Sequence, residues 1–157
     1  MKMVDVGGKQ KTERIAVATG RVRMGAEALE KIRKGKVEKG DVIAAARLAG
    51  IMATKRTPDL IPLCHPISLS AVEVEVKPVV VGVEIRATVK TVDRTGVEME
   101  ALTAVCAAAL TVYDMLKSTD RGMVIEAVQL DHKAGGRSGV WTRAPAGAAS
   151  LKKKRKS

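Results

Sequence analysis

The chain has 157 residues, a net charge of +11, 46% hydrophobic and 29% charged residues, enough for one domain with a substantial core. Phenylalanine is absent and Trp141 and Tyr113 are the only aromatics, so the core has to be built from Ala, Val, Leu, Ile and Met. Two distant cysteines, Cys64 and Cys106, do not suggest a disulfide framework; no run of about 18 apolar residues and no secretory signal is evident, and a soluble, cytoplasmic protein is expected.

Asparagine is absent and glutamine occurs only at Gln10 and Gln129, which together with the many charges is the composition expected of a thermophilic source. The block Lys152–Lys156 supplies five of the eleven net positive charges. Such a block predicts a solvated, disordered tail, giving a single domain over 1–143 and a basic tail over 144–157. The remaining positive excess suits an anionic partner, either nucleic acid or a phosphorylated small molecule.

In chain order, residues 14–22 alternate imperfectly and predict a strand. Residues 26–33 read as a short helix ended near Gly35. Asp41 is placed to N-cap a second helix running to about Ala53, with Lys55 and Arg56 at its cationic end and Thr57-Pro58 as its stop. The segment Leu60-Ile61-Pro62-Leu63-Cys64-His65-Pro66 is then predicted to be extended, because each proline fixes φ and biases its predecessor away from helix. Cys64 and His65 would face opposite ways there. The same residues also describe a buried loop whose histidine is satisfied by a backbone carbonyl.

Residues 71–76 and 83–92 alternate strictly, with Val72, Val74, Val76 and then Val83, Ile85, Ala87, Val89 on one side. Residues 78–82 join them, predicting an antiparallel hairpin. Residues 98–117 form the strongest helix, apolar almost all round and therefore buried on more than one side. Its five alanines between Ala101 and Ala109 allow another backbone to come close. Residues 124–130 give a last strand, followed by the glycine-rich loop 135–139 and an irregular remainder. This order predicts an α+β, ferredoxin-like sandwich: an antiparallel sheet with helices packed on one face.

Three features bear on chemistry. Asp114 and Lys117 are neighbours on the long helix, which describes either a general acid–base pair or an ordinary ion pair. Glu98 and Glu100 lie near the positive end of the helix dipole, which accounts for them simply. Lys9, Lys11, Arg14, Lys39, Lys133 and Arg137 lie among glycine-containing segments that can hold phosphate. No Walker or dinucleotide motif occurs, and Cys64, His65, Cys106 and His132 lack a zinc-type spacing.

Longer motifs add what spacing does not. Leu60 to Pro66, Thr95-Gly-Val-Glu-Met-Glu-Ala-Leu-Thr-Ala104 and Leu110-Thr-Val-Tyr-Asp-Met115 followed by Lys117 resemble the molybdenum cofactor biosynthesis protein C family. Met3-Val-Asp-Val6, Lys39-Gly-Asp-Val42 and Lys133-Ala-Gly-Gly-Arg-Ser-Gly139 match it too, in order. The resemblance implies a ferredoxin-like lyase that converts a cyclised dihydro-GTP into a pyranopterin with a cyclic phosphate, releasing pyrophosphate. Carried over by motif, Asp114, Lys117 and Lys39 are catalytic. Leu63, Cys64, His65, Met99 and Glu100, with Glu98, bind substrate, and Lys9, Arg14 and Lys133 meet the triphosphate. It further implies a homo-hexamer made of dimers. No cofactor or protein-held metal is expected, and magnesium accompanying the triphosphate stays an open alternative. Arg121 and Arg137 stand where lysine is common in the family, keeping charge but changing a point donor to a planar fork.

Helix geometry adds a constraint. Glu100 and Asp114 lie fourteen residues apart on one predicted helix, about 21 Å along its axis and about 40° apart around it. A compact site holding both therefore implies two chains. A small RNA-binding protein is the competing class, the tail contacting nucleic acid nonspecifically. Sequence-reading sheets of that kind stack bases on aromatics, and none of the predicted strands carries one.

Overall fold

The computed structural model describes residues 1–144; the expected tail from residue 145 onward lies outside the described residues. The elements are β1 (Thr12–Arg23), α1 (Ala26–Arg33), α2 (Val42–Thr54), α3 (Thr57–Leu60), β2 (Leu69–Val79), β3 (Gly82–Asp93), α4 (Glu98–Leu116), β4 (Val124–Ala134) and β5 (Trp141–Thr142). The sheet order is β2-β3-β1-β4-β5, and each neighbouring pair is antiparallel. Without β5 this is the split β-α-β arrangement of a ferredoxin-like α+β sandwich, as expected.

Local chemistry explains the helices. The Asp41 side chain accepts from Ala44 N at 3.0 Å, capping α2 as its position predicts. Thr57-Pro58 behaves differently from expectation. α2 does end before it, but proline is tolerated in a first helical turn, and these residues open the one-turn α3. The following segment is correspondingly not extended throughout: Cys64 N donates to Ile61 O at 3.0 Å, closing a turn around Pro62 and Leu63.

The hairpin forms as predicted, in the register Val74↔Ala87 and Val76↔Ile85, with Val74, Val76, Val83 and Ile85 buried and Val72 half-buried. β4 runs four residues beyond the expected end, so His132 and Lys133 lie on a strand and not in a loop. It pairs with β1 out to Ile15↔Ala134, with register shifts in between and Ala127 at φ 54°.

The core lies between one face of the sheet and α4, with α2 beside it. Small residues meet small residues there: Ala16, Ala18 and Gly20 of β1 lie under Ala101, Ala104, Val105 and Ala108 of α4. A Cβ added at Gly20 would stand 2.6 Å from Val105 Cγ1. A chain without phenylalanine fills its interior by bringing backbones close, at ordinary interior density. α4 is long and apolar enough to cross a bilayer, yet 56% of its apolar window is buried inside this domain.

Candidate active site

The two ends of α4 carry two separate clusters. At its N-terminal end, Glu98, Met99 and Glu100 form the first turn. Glu100 is 1% exposed, the only buried ionisable side chain among the described residues. Its Oε1 accepts a hydrogen bond from Cys64 Sγ at 3.7 Å, while Oε2 is buried without a partner. Burial, helped slightly by the Glu98 charge, raises its pKa despite hydrogen bonds from its own backbone N–H and from the Cys64 thiol. Dipole complementarity, adequate on sequence grounds, therefore does not describe Glu100: the side chain points inward. The Cys64 thiol is itself pushed up to about 11, first by burial and then by Glu100.

Glu98 stays half-exposed, with Lys133 Nζ at 4.0 Å. Lys133 also donates to Ser138 in the glycine-rich loop. Lys9, Arg14, Gly96, Glu98, Lys133 and Ser138 line a hollow of about 210 Å³. It adjoins a larger one, about 560 Å³, that Arg137 and Gly136 share with Lys9 and Arg14. The Arg14 guanidinium is anchored by Asp93 O at 3.3 Å and Arg94 O at 3.2 Å. Gly136, at φ 69°, lies so close to this guanidinium that a Cβ there would collide with it. Four cations thus border adjoining hollows, a setting for a polyanion. Leu63 and Met99 are 48% and 37% exposed, and His65, two residues after Leu63, is half-buried.

The second cluster lies at the C-terminal end of α4. Lys117 Nζ stands 2.7 Å from Asp114 Oδ1, and Lys39 Nζ stands 2.7 Å from Oδ2 and 3.1 Å from Asp114 O. Lys39 comes from the loop before α2, so a long-range contact completes what the sequence offered as a local pair. The hydrogen bonds from Lys117 and then Lys39 lower the Asp114 pKa to about 2. Asp114 is thus a carboxylate clamped between two ammonium groups. Lys31, Lys36, Ser118 and Thr119, which the sequence did not single out, line a neighbouring hollow of about 460 Å³ with Lys39.

The structure thus gathers Lys9, Arg14, Glu98 and Lys133 around one hollow, pairs Cys64 with Glu100, and joins Lys39, Asp114 and Lys117. Within one chain it does not bring the two ends of α4 together. Ser138 and Gly96 escaped the sequence reading, although Ser138 stands in the glycine-rich motif itself. A further hollow of about 330 Å³ on the outer face of the sheet is bordered by Arg21, Glu75, Lys77 and Glu84. These charges pair with one another, Arg21 with Glu84 at 2.7 Å and Lys77 with Glu75. Among the described residues no cluster of three or more His, Cys, Asp or Glu has the disposition of a metal site.

A ferredoxin-like sandwich with a cationic recess at one end of its central helix and a lysine-clamped carboxylate at the other belongs with enzymes that handle phosphorylated small molecules. The MoaC family model matches residues 3–136, and the chain belongs to that family. It is 61% identical over 144 residues to cyclic pyranopterin monophosphate synthase of Thermomicrobium roseum, covering 90% of this chain and 87% of that protein. Proteins with the same name from Novosphingobium aromaticivorans and Streptomyces coelicolor are 57% and 58% identical. These alignments cover 91% and 90% of this chain, and 91% and 84% of theirs.

Proposed function

We propose that the protein is a lyase of molybdenum cofactor biosynthesis that converts cyclised dihydro-GTP into cyclic pyranopterin monophosphate and pyrophosphate. The observation that carries this reading is the Lys39–Asp114–Lys117 constellation, both lysines 2.7 Å from the carboxylate, in a chain so similar to proteins of that name. The cationic recess supplies the other requirement. Closing the cyclic phosphate takes a substrate hydroxyl attacking the α-phosphorus, with its proton passing to a base and pyrophosphate departing. Lys9, Arg14 and Lys133 bind the triphosphate and stabilise the charge that builds on the departing group.

Asp114, with its pKa near 2, works ionised. It holds the two Nζ atoms in position and accepts a proton only when substrate draws a lysine away from it. Proton transfers during the ring rearrangement then run among Lys39, Lys117 and Asp114. The reading needs no cofactor held by the protein.

One complete site takes two chains. About 21 Å of helix separates Glu100 from Asp114, and a twofold dimer brings the first turn of one α4 to the last turn of its partner. The exposed stripe between them suits contact with a second copy: Leu110 of α4 is 60% exposed, and Leu48 and Met52 of α2 are 59% and 58% exposed. Three such dimers make the hexamer this reading adopts. A cytoplasmic setting agrees with Cys64 and Cys106 both being free thiols.

The test is to incubate the purified protein with cyclised dihydro-GTP and follow the cyclic pterin by chromatography and pyrophosphate by a coupled assay. Both products should appear in equal amounts, and Asp114→Asn, folded as the wild type, should form neither. Absence of turnover by the wild-type protein overturns the reading.

A further inference from the structure

A cationic hollow beside the C-terminal end of α4 has no part in the reaction proposed above. Its volume is about 460 Å³, and Lys31, Lys36, Lys39 and Glu38 border it together with Ser118 and Thr119. The loop that carries its cations is tightly built. Gly35, at φ 62°, turns the chain out of α1, so that Lys36 N returns to Lys31 O at 2.9 Å. Val37 packs against the core, and Gly40 N closes on Val37 O at 3.0 Å. Lys31 Nζ donates to Thr119 Oγ1 at 3.0 Å and ties α1 to the end of α4.

These groups have donors free for a ligand. An ammonium carries three N–H donors, and Asp114 accepts from Lys39 through Oδ2 and the carbonyl O only. Among the described residues the Lys36 ammonium and the Ser118 hydroxyl pair with no other side chain, and both residues are exposed at the hollow. Three lysines face a single carboxylate, Glu38, in its wall. The carbonyl end of α4 opposes an anion, but Lys39 Nζ covers Asp114 O, and Thr119 N and Asp120 N cover Leu116 O.

We propose that this hollow is a second anion site, that it takes free pyrophosphate between Lys31, Lys36, Lys39 and Ser118, and that the bound anion draws Lys39 away from Asp114. Binding rests on the geometry alone. Its consequence, inhibition by released pyrophosphate, rests on the function proposed above. The recess of Lys9, Arg14 and Lys133 lies at the opposite end of the same helix, so each chain offers two separate anion sites. Competition for Lys39 couples the hollow to Asp114 in both directions: the anion loosens the ion pair, and loss of the carboxylate frees Lys39 for the anion.

Calorimetric titration of inorganic pyrophosphate into the full-length protein at neutral pH tests the site. A Lys9→Ala/Lys133→Ala variant, with its recess disarmed, should still bind pyrophosphate. In that background Lys36→Ala should weaken the remaining site about tenfold. Lys34→Ala removes the same charge two residues away, from an exposed pair with Glu30 outside the hollow, and should change it less than about twofold. Asp114→Asn should tighten it. No residual binding in the disarmed background, or equal losses from Lys34→Ala and Lys36→Ala, overturns the proposal; unchanged binding in Asp114→Asn removes the coupling through Lys39. In turnover, pyrophosphate should inhibit with a component that added cyclised dihydro-GTP does not relieve, and Lys36→Ala should lose that component. If Lys36→Ala loses only inhibition that the substrate relieves, the hollow takes the substrate's own phosphates and the regulatory half of the proposal falls. If the wild type turns over no cyclised dihydro-GTP, the function reading fails, while calorimetry still decides the site.

Discussion

The shared site makes a quantitative prediction about mixing two damaged proteins. α4 is continuous from Glu98 to Leu116, so the fourteen residues between Glu100 and Asp114 fix a span of about 21 Å. In the proposed dimer each site takes the Glu100 end from one chain and the Asp114 end from its partner. Glu100→Ala and Asp114→Asn homodimers each have a defect in every site. After random subunit exchange about half the dimers are mixed, and in each of these one site collects both substitutions and the other neither. About a quarter of all sites should then be intact, and pyrophosphate release should return to about a quarter of the wild-type rate. Assembly into hexamers leaves that fraction unchanged. Lys133→Ala mixed with Asp114→Asn should behave alike, which covers the case in which removing Glu100 damages folding. Lys133→Ala mixed with Glu100→Ala should recover nothing, because both substitutions fall at the same end of α4. Exchange proved by native mass spectrometry, with no recovery in either of the first two mixtures, refutes the shared-site argument.

In wild-type protein the Asp114 carboxyl, followed by carbon NMR, should titrate near pH 2. Because the folded pKa is depressed, the stabilisation is present above the ordinary carboxylate range and lost as pH falls through about 2; Lys39→Ala should move the titration upward, and an unmoved one would detach Lys39 from the carboxylate. Glu100 has the opposite sign: its raised pKa favours the fold below the ordinary Glu value and loses that advantage as pH rises towards the folded value. Glu100→Gln should therefore gain in melting temperature relative to wild type from pH 5 to 8, and a constant difference would contradict a buried titrating acid. Gly20→Ala should cost about 1–3 kcal/mol by overpacking against Val105, read from denaturant midpoints; an unchanged midpoint would mean that β1 and α4 are not in close contact. Truncation after Ala149 should leave kcat and KM unchanged and make residual RNA binding weaker and less salt-sensitive, whereas lost turnover in a folded truncation would give the tail a place in the site.

Most of the fold was legible because local signals and tertiary demands agree. The helix over 26–33, the Asp41 cap, the alternating hairpin and the alanine-rich α4 all appear where patterning puts them. What escaped depends on pairing with distant chain. Residues 131–134, Asp-His-Lys-Ala, have no strand pattern, and they are strand because β1 offers a long neighbour, to Ile15↔Ala134. β5 is two residues long and is defined by two pairs with β4, His132↔Thr142 and Lys133↔Trp141. The stop at Thr57-Pro58 was read correctly for α2 but not for α3, since proline ends one helix and admits another.

The candidate residues could be named from the sequence, but their electrostatic arrangement could not, and α4 shows why. Its dipole favours anions at the N-terminal end and cations at the C-terminal end, so sequence reasoning accounts for Glu98 and Glu100 as anions and reads Asp114 only through its pairing with Lys117. The structure overrides the first reading and completes the second: burial raises the Glu100 pKa, and Lys39 joins the Asp114–Lys117 pair. The dipole is worth about 0.3–1 kcal/mol in exposed positions, whereas burying an unpaired carboxylate costs several kcal/mol. Burial prevails at Glu100, and it is fixed by the turn that brings Cys64 over the first turn of α4, a long-range fact. At Asp114 two ammonium groups at 2.7 Å outweigh the unfavourable helix end, and one of them arrives from 75 residues upstream. The same helix thus presents a buried acid of raised pKa where its dipole favours an anion, and an anion where its dipole opposes one. Two groups set against their local field in this way require the rest of the chain to hold them there, as groups arranged for proton transfer do.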